Sequence, residues 1–77
     1  MNNYDDKFTK IGLNISYYRK LKKMTQLELA EKANISRTHI SNIEAPNYPT
    51  SLSIETLLDD IADALDVPAS HLLDFTR

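Results

Sequence analysis

Apolar residues recur at helical spacing along nearly the whole chain. Phe8, Ile11, Ile15 and Tyr18 follow one another at intervals of three, four and three, which places them on one face of a first helix. That helix runs to a basic stretch, "RKLKK", ending near Lys23, where cations suit the negative end of the helix dipole. Thr25 and Glu28 have the spacing of a capping box, so a second helix near 26–33 begins there and turns Leu29, Ala30 and Ala33 inward. Asn34 ends it, because Asn tolerates the left-handed conformation that closes helices. Ser36 caps a third helix near 37–44, which buries Ile40 and Ile43 with Ile35 stapling its start. Two prolines and several polar residues make "APNYPTS" a loop. Ile54, Leu58, Ile61 and Leu65, with Ala62 beside them, define a fourth helix. Pro68 interrupts that pattern and opens a fifth helix near 68–75 that carries Leu72, Leu73 and Phe75. Gly12 is the sole glycine and no hairpin turn signal exists, so strands are not expected. The pattern predicts an all-α domain of five helices spanning residues 1–77.

Length and composition narrow the possibilities. Seventy-seven residues suit one compact domain with a thin core. With no cysteine, disulfides and thiolate metal ligands are excluded, in keeping with a reducing, cytoplasmic setting. The N-terminal "MNNYDDKFTK" has no apolar run of the kind a signal peptide needs, and no stretch is long enough to span a membrane. The net charge of −2 would argue against a nucleic-acid partner if it were evenly spread. It is not. Residues 1–43 hold eight Lys or Arg against four acids (+4), and residues 44–77 hold one Arg against seven acids (−6). A basic working face and an acidic solvated face would give this polarity, although charge also fluctuates by chance in small chains.

The stretch "TQLELAEKANISRTHISNIE", residues 25–44, pairs two short helices through a tight turn, the layout of a helix-turn-helix. The second of them is polar on its outer side, as a helix lying in a DNA groove would be. Here the chain resembles the compact helix-turn-helix domain of phage repressors and Cro proteins, the Xre family. The resemblance runs from about Ile11 to Leu73. It rests on Ile15, Tyr18 and Arg19, on "TQLELAEKA", on "ISRTHISNIE" and on "IADALDVPASHLL".

The resemblance implies roles residue by residue. Gln26 matches a Gln that binds a phosphate at the start of the family's second helix, where free backbone N–H groups assist. Ser36 and His39 are further candidates for backbone contact. Arg37, Thr38 and Asn42, with Ser41 beside them, match positions that meet base edges. Their chemistry agrees: Arg can bind guanine O6 and N7 together, Asn can pair with adenine, and the Thr methyl can meet the thymine methyl. Arg19 and Glu44 match a pair that bridges the first and third helices. The chain also departs from the pattern. Lys23, Asn34 and Ala45 or Pro46 stand where the family often has Gly, and a left-handed Lys23 would be strained. Between Glu44 and Leu65 it is about three residues longer than usual, with most of the excess in the loop at 45–53. Asn47 and Tyr48 are the candidates for DNA contact in that loop.

Each of these residues also has a plainer reading. Arg37 could be an ordinary solvated arginine, and Lys20, Lys22 and Lys23 a solvated helix end rather than a phosphate-binding one. His39 and His71 are far apart with no carboxylate or Cys to complete a ligand set, so no metal site is expected. Asp59 and Asp60 point in different directions on a helix and read as a solvated face. No nucleophile stands beside a base and no glycine-rich phosphate loop occurs, so an enzyme is not expected and no cofactor is needed.

The expectation is a regulator that binds a double-stranded DNA operator and represses by occupying a promoter. One short helix reads few base pairs, which calls for a homodimer. Leu72, Leu73 and Phe75 exceed what a fifth helix needs inside and are the candidates for its contact. Three alternatives stay open: a restriction–modification controller, an antitoxin with a toxin or other protein partner, and a protein-interaction module that has lost DNA binding.

Overall fold

The computed structural model describes residues 3–45 and 51–76, with side chains from 8–45 and 57–76. Five helices follow in order: α1 (Asn3–Leu21), α2 (Gln26–Ala33), α3 (Arg37–Glu44), α4 (Ser51–Leu65) and α5 (Ala69–Leu72). No strand occurs among the described residues. Asn47 and Tyr48 lie outside the described residues, as does the side chain of Ile54.

The expected caps form. Thr25 Oγ1 accepts from the Glu28 backbone N–H at 3.0 Å while Glu28 Oε1 accepts from the Thr25 N–H at 2.7 Å, so two N–H groups with no partner inside α2 are satisfied reciprocally. Ser36 Oγ accepts from the His39 N–H at 3.0 Å at the start of α3.

Three helices end in the same way. At the ends of α1, α2 and α4, a left-handed residue (Lys23, Asn34 or Asp66, φ 59–61°) is followed by an apolar one. The N–H groups of Met24, Ile35 and Val67 reach back five residues to the carbonyls of Arg19, Ala30 and Ala62, at 3.0–3.1 Å. Met24, Ile35 and Val67 then pack on the core, which makes each ending a Schellman motif with its hydrophobic contact. None of the three left-handed residues is glycine. Asn34 suits the conformation; Lys23 does not, because its Cβ crowds the carbonyl. Lys23 is exposed, so no packing is at stake. Lys23→Gly should therefore raise stability by about 1 kcal/mol, and Asn34→Gly should raise it less; paired thermal melts would check the order.

The core joins all five helices. Ile11 and Ile15 of α1 meet Leu29, Ala30 and Ala33 of α2, Ile40 and Ile43 of α3, Ile61, Ala62, Ala64 and Leu65 of α4, and Leu72 of α5. Phe8, Tyr18 and Leu58 close its edges, partly buried.

Two contacts had no counterpart in the sequence reading. Asn14, only 7% exposed, donates through Nδ2 to the carbonyls of Leu72 at 2.9 Å and Asp74 at 3.0 Å. A buried amide is costly unless it is paired, and here it ties α1 to the segment after α5. Gly12 sits where α1 meets the backbone of α3. A Cβ there would run into the Ile43 carbonyl, oxygen first and then carbon at 3.3 Å.

The expected fifth helix is shortened. It spans one turn, Ala69–Leu72, and not 68–75. Asn14 holds the carbonyl of its last residue, Leu72, and that of Asp74 beyond it, and Asp74 Oδ1 accepts from the Thr76 N–H at 3.0 Å, so the chain after α5 is bonded in a non-helical path. Leu72 must also be removed from the expected dimer contact, because it is 0% exposed and belongs to the core. Leu73 and Phe75 are exposed, at 44% and 37%.

Candidate nucleic-acid interface

One side of α3 is anchored and the other is open. Ile40 and Ile43 are buried, which fixes the helix rotation about its own axis. Arg37 and Thr38 are then exposed and Ser41 and Asn42 half-buried on the opposite side. Arg37 with Ser41, and Thr38 with Asn42, are each four residues apart, so they form two adjacent rows along the helix surface. The four residues expected at base edges are thus brought together on one short surface. The cap residue Ser36 is exposed at its leading end, its oxygen already accepting from His39 N–H and its hydroxyl hydrogen left to donate. His39 is half-buried, at the border of this surface.

A cluster built on one carboxylate holds α3 to its neighbours. Arg19 of α1 grips Glu44, the last residue of α3, through Nε to Oε2 at 2.8 Å and Nη2 to Oε1 at 3.0 Å. This is the two-pronged geometry that suits a planar guanidinium and a carboxylate. Its Nη1 also donates to the Met24 carbonyl at 2.8 Å. Side-chain exposure is 11% for Arg19 and 6% for Glu44, so little water screens the pair. The bridge between α1 and α3 expected of these two residues is present.

Gln26, the first residue of α2, joins the same cluster, with Nε2 donating to Glu44 Oε1 at 3.1 Å. A carboxylate only accepts, so this bond sets which way the Gln26 amide faces. The second N–H of that group stays available to an outside acceptor. One carboxylate therefore ties the first residue of α2 to the last residue of α3, while Leu29, Ala30 and Ala33 of α2 share the core with Ile40 and Ile43 of α3. The angle between them is held from both sides.

Charge is distributed unevenly over the described surface. Lys20, Lys22 and Lys23 are exposed at the end of α1, and Asp59, Asp60, Asp63 and Asp66 are exposed on α4 and its end. The halves of opposite charge in the sequence thus include a basic helix end and an acidic helix face. Among the described residues no three His, Asp or Glu side chains converge as a metal site would require, and no helix is long and apolar enough to cross a membrane.

Sequence reasoning missed Gly12, Asn14 and the Gln26–Glu44 bond. A lone glycine inside a helical pattern was a signal that a neighbouring backbone comes close. Asn14 gave no comparable signal, since its partners are backbone carbonyls about sixty positions away.

A family model described as helix-turn-helix matches residues 15–72. The immunity repressor protein of Bacillus phage phi105 is 41% identical over 63 residues, 82% of this chain and 42% of that protein. The HTH-type transcriptional regulator SinR of Bacillus subtilis is 42% identical over 64 residues, 83% of this chain and 56% of that protein. The chain spans about half the length of the curated relatives it matches. Among solved structures, the restriction-modification controller protein C.AhdI from Aeromonas hydrophila superposes with a TM-score of 0.78 at 22% identity, covering 92% of this chain and 99% of its own. The hypothetical transcription factor NHTF from Neisseria gives 0.76 at 28% identity, over 96% and 82%.

Proposed function

Since the chain belongs to the helix-turn-helix family of Xre type, we propose that it binds double-stranded DNA sequence-specifically, with α3 in the major groove, and regulates transcription as a repressor that occupies a promoter. One observation carries this reading. Arg37, Thr38, Ser41 and Asn42 are presented together on the open side of a helix whose other side is locked by Ile40, Ile43 and the Arg19–Glu44–Gln26 cluster. The relatives named as an immunity repressor and a transcriptional regulator agree with it.

In this reading Arg37, Thr38, Ser41 and Asn42 meet base edges. Gln26 uses its second amide N–H on a phosphate, and Ser36 and His39 add backbone contacts that set register without reading sequence. The chemistry needs no cofactor and no catalysis. A single α3 reads a few base pairs, so the protein acts as a two-fold dimer on half-sites about 34 Å apart. Leu73 and Phe75, exposed beyond α5, are available for the dimer contact.

Arg37→Ala and Asn42→Ala should each weaken the cognate site by roughly 1–3 kcal/mol and relax preference at one base position. Selection of binding sites from random duplex, followed by titration of wild type and variants, measures both effects. Wild-type affinity and unchanged preference in both variants would sink the assignment. Failure of the wild type to shift any duplex at low salt would favour the protein-interaction reading instead.

A further inference from the structure

We infer that Met24 is a site of reversible oxidation: a peroxide that reaches its thioether forms a sulfoxide, loosens the corner between α1 and α2, and lowers DNA affinity. The chain has no cysteine, and its other methionine is Met1. Met24 thus holds the one sulfur among the residues whose side chains are described. It is half-buried, and it lines a groove of about 410 Å³ together with Glu28, Glu31 and Lys32. That space is many times the roughly 30 Å³ of a water molecule, so a small peroxide has room beside this side chain without any helix moving.

What the residue holds in place sets the consequence. Met24 packs on the core from the position before the Thr25 cap, where an apolar residue fixes the entry of the chain into α2. Its backbone is bonded to Arg19 in both directions. The Met24 N–H donates to the Arg19 carbonyl at 3.0 Å, and the Met24 carbonyl accepts from Arg19 Nη1 at 2.8 Å. The same guanidinium grips Glu44 at the end of α3, and Glu44 also accepts from Gln26. Lys23, one residue earlier, is held left-handed (φ 59°) against the preference of its side chain. Strain of that kind lasts only while the surroundings over-determine it, and the packing of Met24 is part of what does so. A change at this one side chain therefore reaches the cluster that holds α3.

Hydrogen peroxide or another hydroperoxide is the oxidant. A sulfur lone pair attacks one peroxide oxygen, and the S–O bond forms as the O–O bond breaks. The leaving hydroxide takes the proton of the transferred hydroxyl and departs as water. The sulfur loses two electrons and the peroxide gains them. The product is polar and chiral where the thioether was apolar. A sulfoxide oxygen kept in the core without a donor is costly, so the side chain turns out into the groove, toward water. The core contact is then lost and the Arg19 bonds at the corner weaken. Two thiols, acting through a sulfoxide reductase, return the thioether and leave a disulfide and water. The effect on DNA affinity rests on the DNA-binding reading above; the effect on stability does not.

Hydrogen peroxide added to the whole chain should place one oxygen on Met24, read by mass mapping of its peptides, at a rate close to that of a short methionine peptide in the same tube. The oxidised protein should melt at a lower temperature and bind a selected duplex about tenfold more weakly. Dithiothreitol with a methionine sulfoxide reductase should reverse both changes. In Met24→Leu, which keeps Met1, the peroxide treatment should alter neither quantity. Met24→Gln should melt lower than wild type without any peroxide. Resistance of Met24 while the short peptide reacts, an oxidised protein that melts as before or binds duplex as before, or an equal loss in treated Met24→Leu would overturn the inference. A protein that melts lower through Met24 on treatment, yet binds no duplex before or after it, would support the site and reject the DNA-binding function.

Discussion

Glu44→Ala should lower the stability of the domain by about 3 kcal/mol, because it leaves the Arg19 guanidinium largely buried without its counter-charge. A chain of this size is stabilised by only about 4–12 kcal/mol in total, so the loss should appear as a fall of roughly 12–24 °C in melting temperature. Three groups lose a partner at once: Nε and Nη2 of Arg19, and Nε2 of Gln26. Arg19→Met should cost less, since the Glu44 carboxylate keeps its bond from Gln26 and the methionine leaves no buried donor without an acceptor. The double variant should lose less than the sum of the two, with a coupling of about 1–3 kcal/mol. Strict additivity in a cycle of thermal melts would show that the pair contributes nothing jointly. DNA affinity gives a second readout. The cluster joins α1, α2 and α3, so Glu44→Ala should weaken DNA binding even at a temperature where the variant is fully folded.

Gly12→Ala should destabilise the protein by about 2 kcal/mol, against the direction that helix propensity gives. Alanine in a helix interior is favoured over glycine by about 1 kcal/mol, and Gly12 lies well inside α1. The added methyl would meet the backbone of Ile43. A flexible side chain could rotate away, but a backbone carbonyl in the last turn of α3 moves only with its helix, so α3 must shift from α1. The displaced helix is the one that carries Arg37, Thr38, Ser41 and Asn42. Affinity for cognate DNA should therefore drop by more than the unfolded fraction explains. Chemical denaturation together with a DNA titration measures the two effects, and a variant more stable than wild type would show that the two helices can separate at little cost.

What could be read without the fold was local in origin. A helical period is repeated every few residues, so the stripes of α1, α2 and α3 are written in neighbouring positions. A cap is a bond between residues three apart, which is why the Thr25–Glu28 box and the Ser36 cap were legible. The left-handed Asn34 is a property of one residue type, whereas strain at Lys23 was legible only through the resemblance, which often has Gly there. Asp66 forms the same kind of ending, but Pro68 by itself accounts for a break after α4 and masks it. The outward set on α3 was legible because burying Ile40 and Ile43 leaves those positions no other direction.

The tertiary structure decided whatever depends on residues distant in sequence. Asn14 meets carbonyls 58 and 60 positions away, and that contact ends α5 after a single turn. Leu72 is thereby drawn into the core while Leu73 and Phe75 stay outside, a division the composition of the last segment did not settle. Gln26 meets Glu44 at a separation of 18, so the residue singled out for phosphate contact also helps to hold α3. Gly12 is an unremarkable helix residue until Ile43 arrives against it. In each case the partner is brought near only by the packing of whole helices, and the energy of such a contact depends on distances that no local pattern encodes.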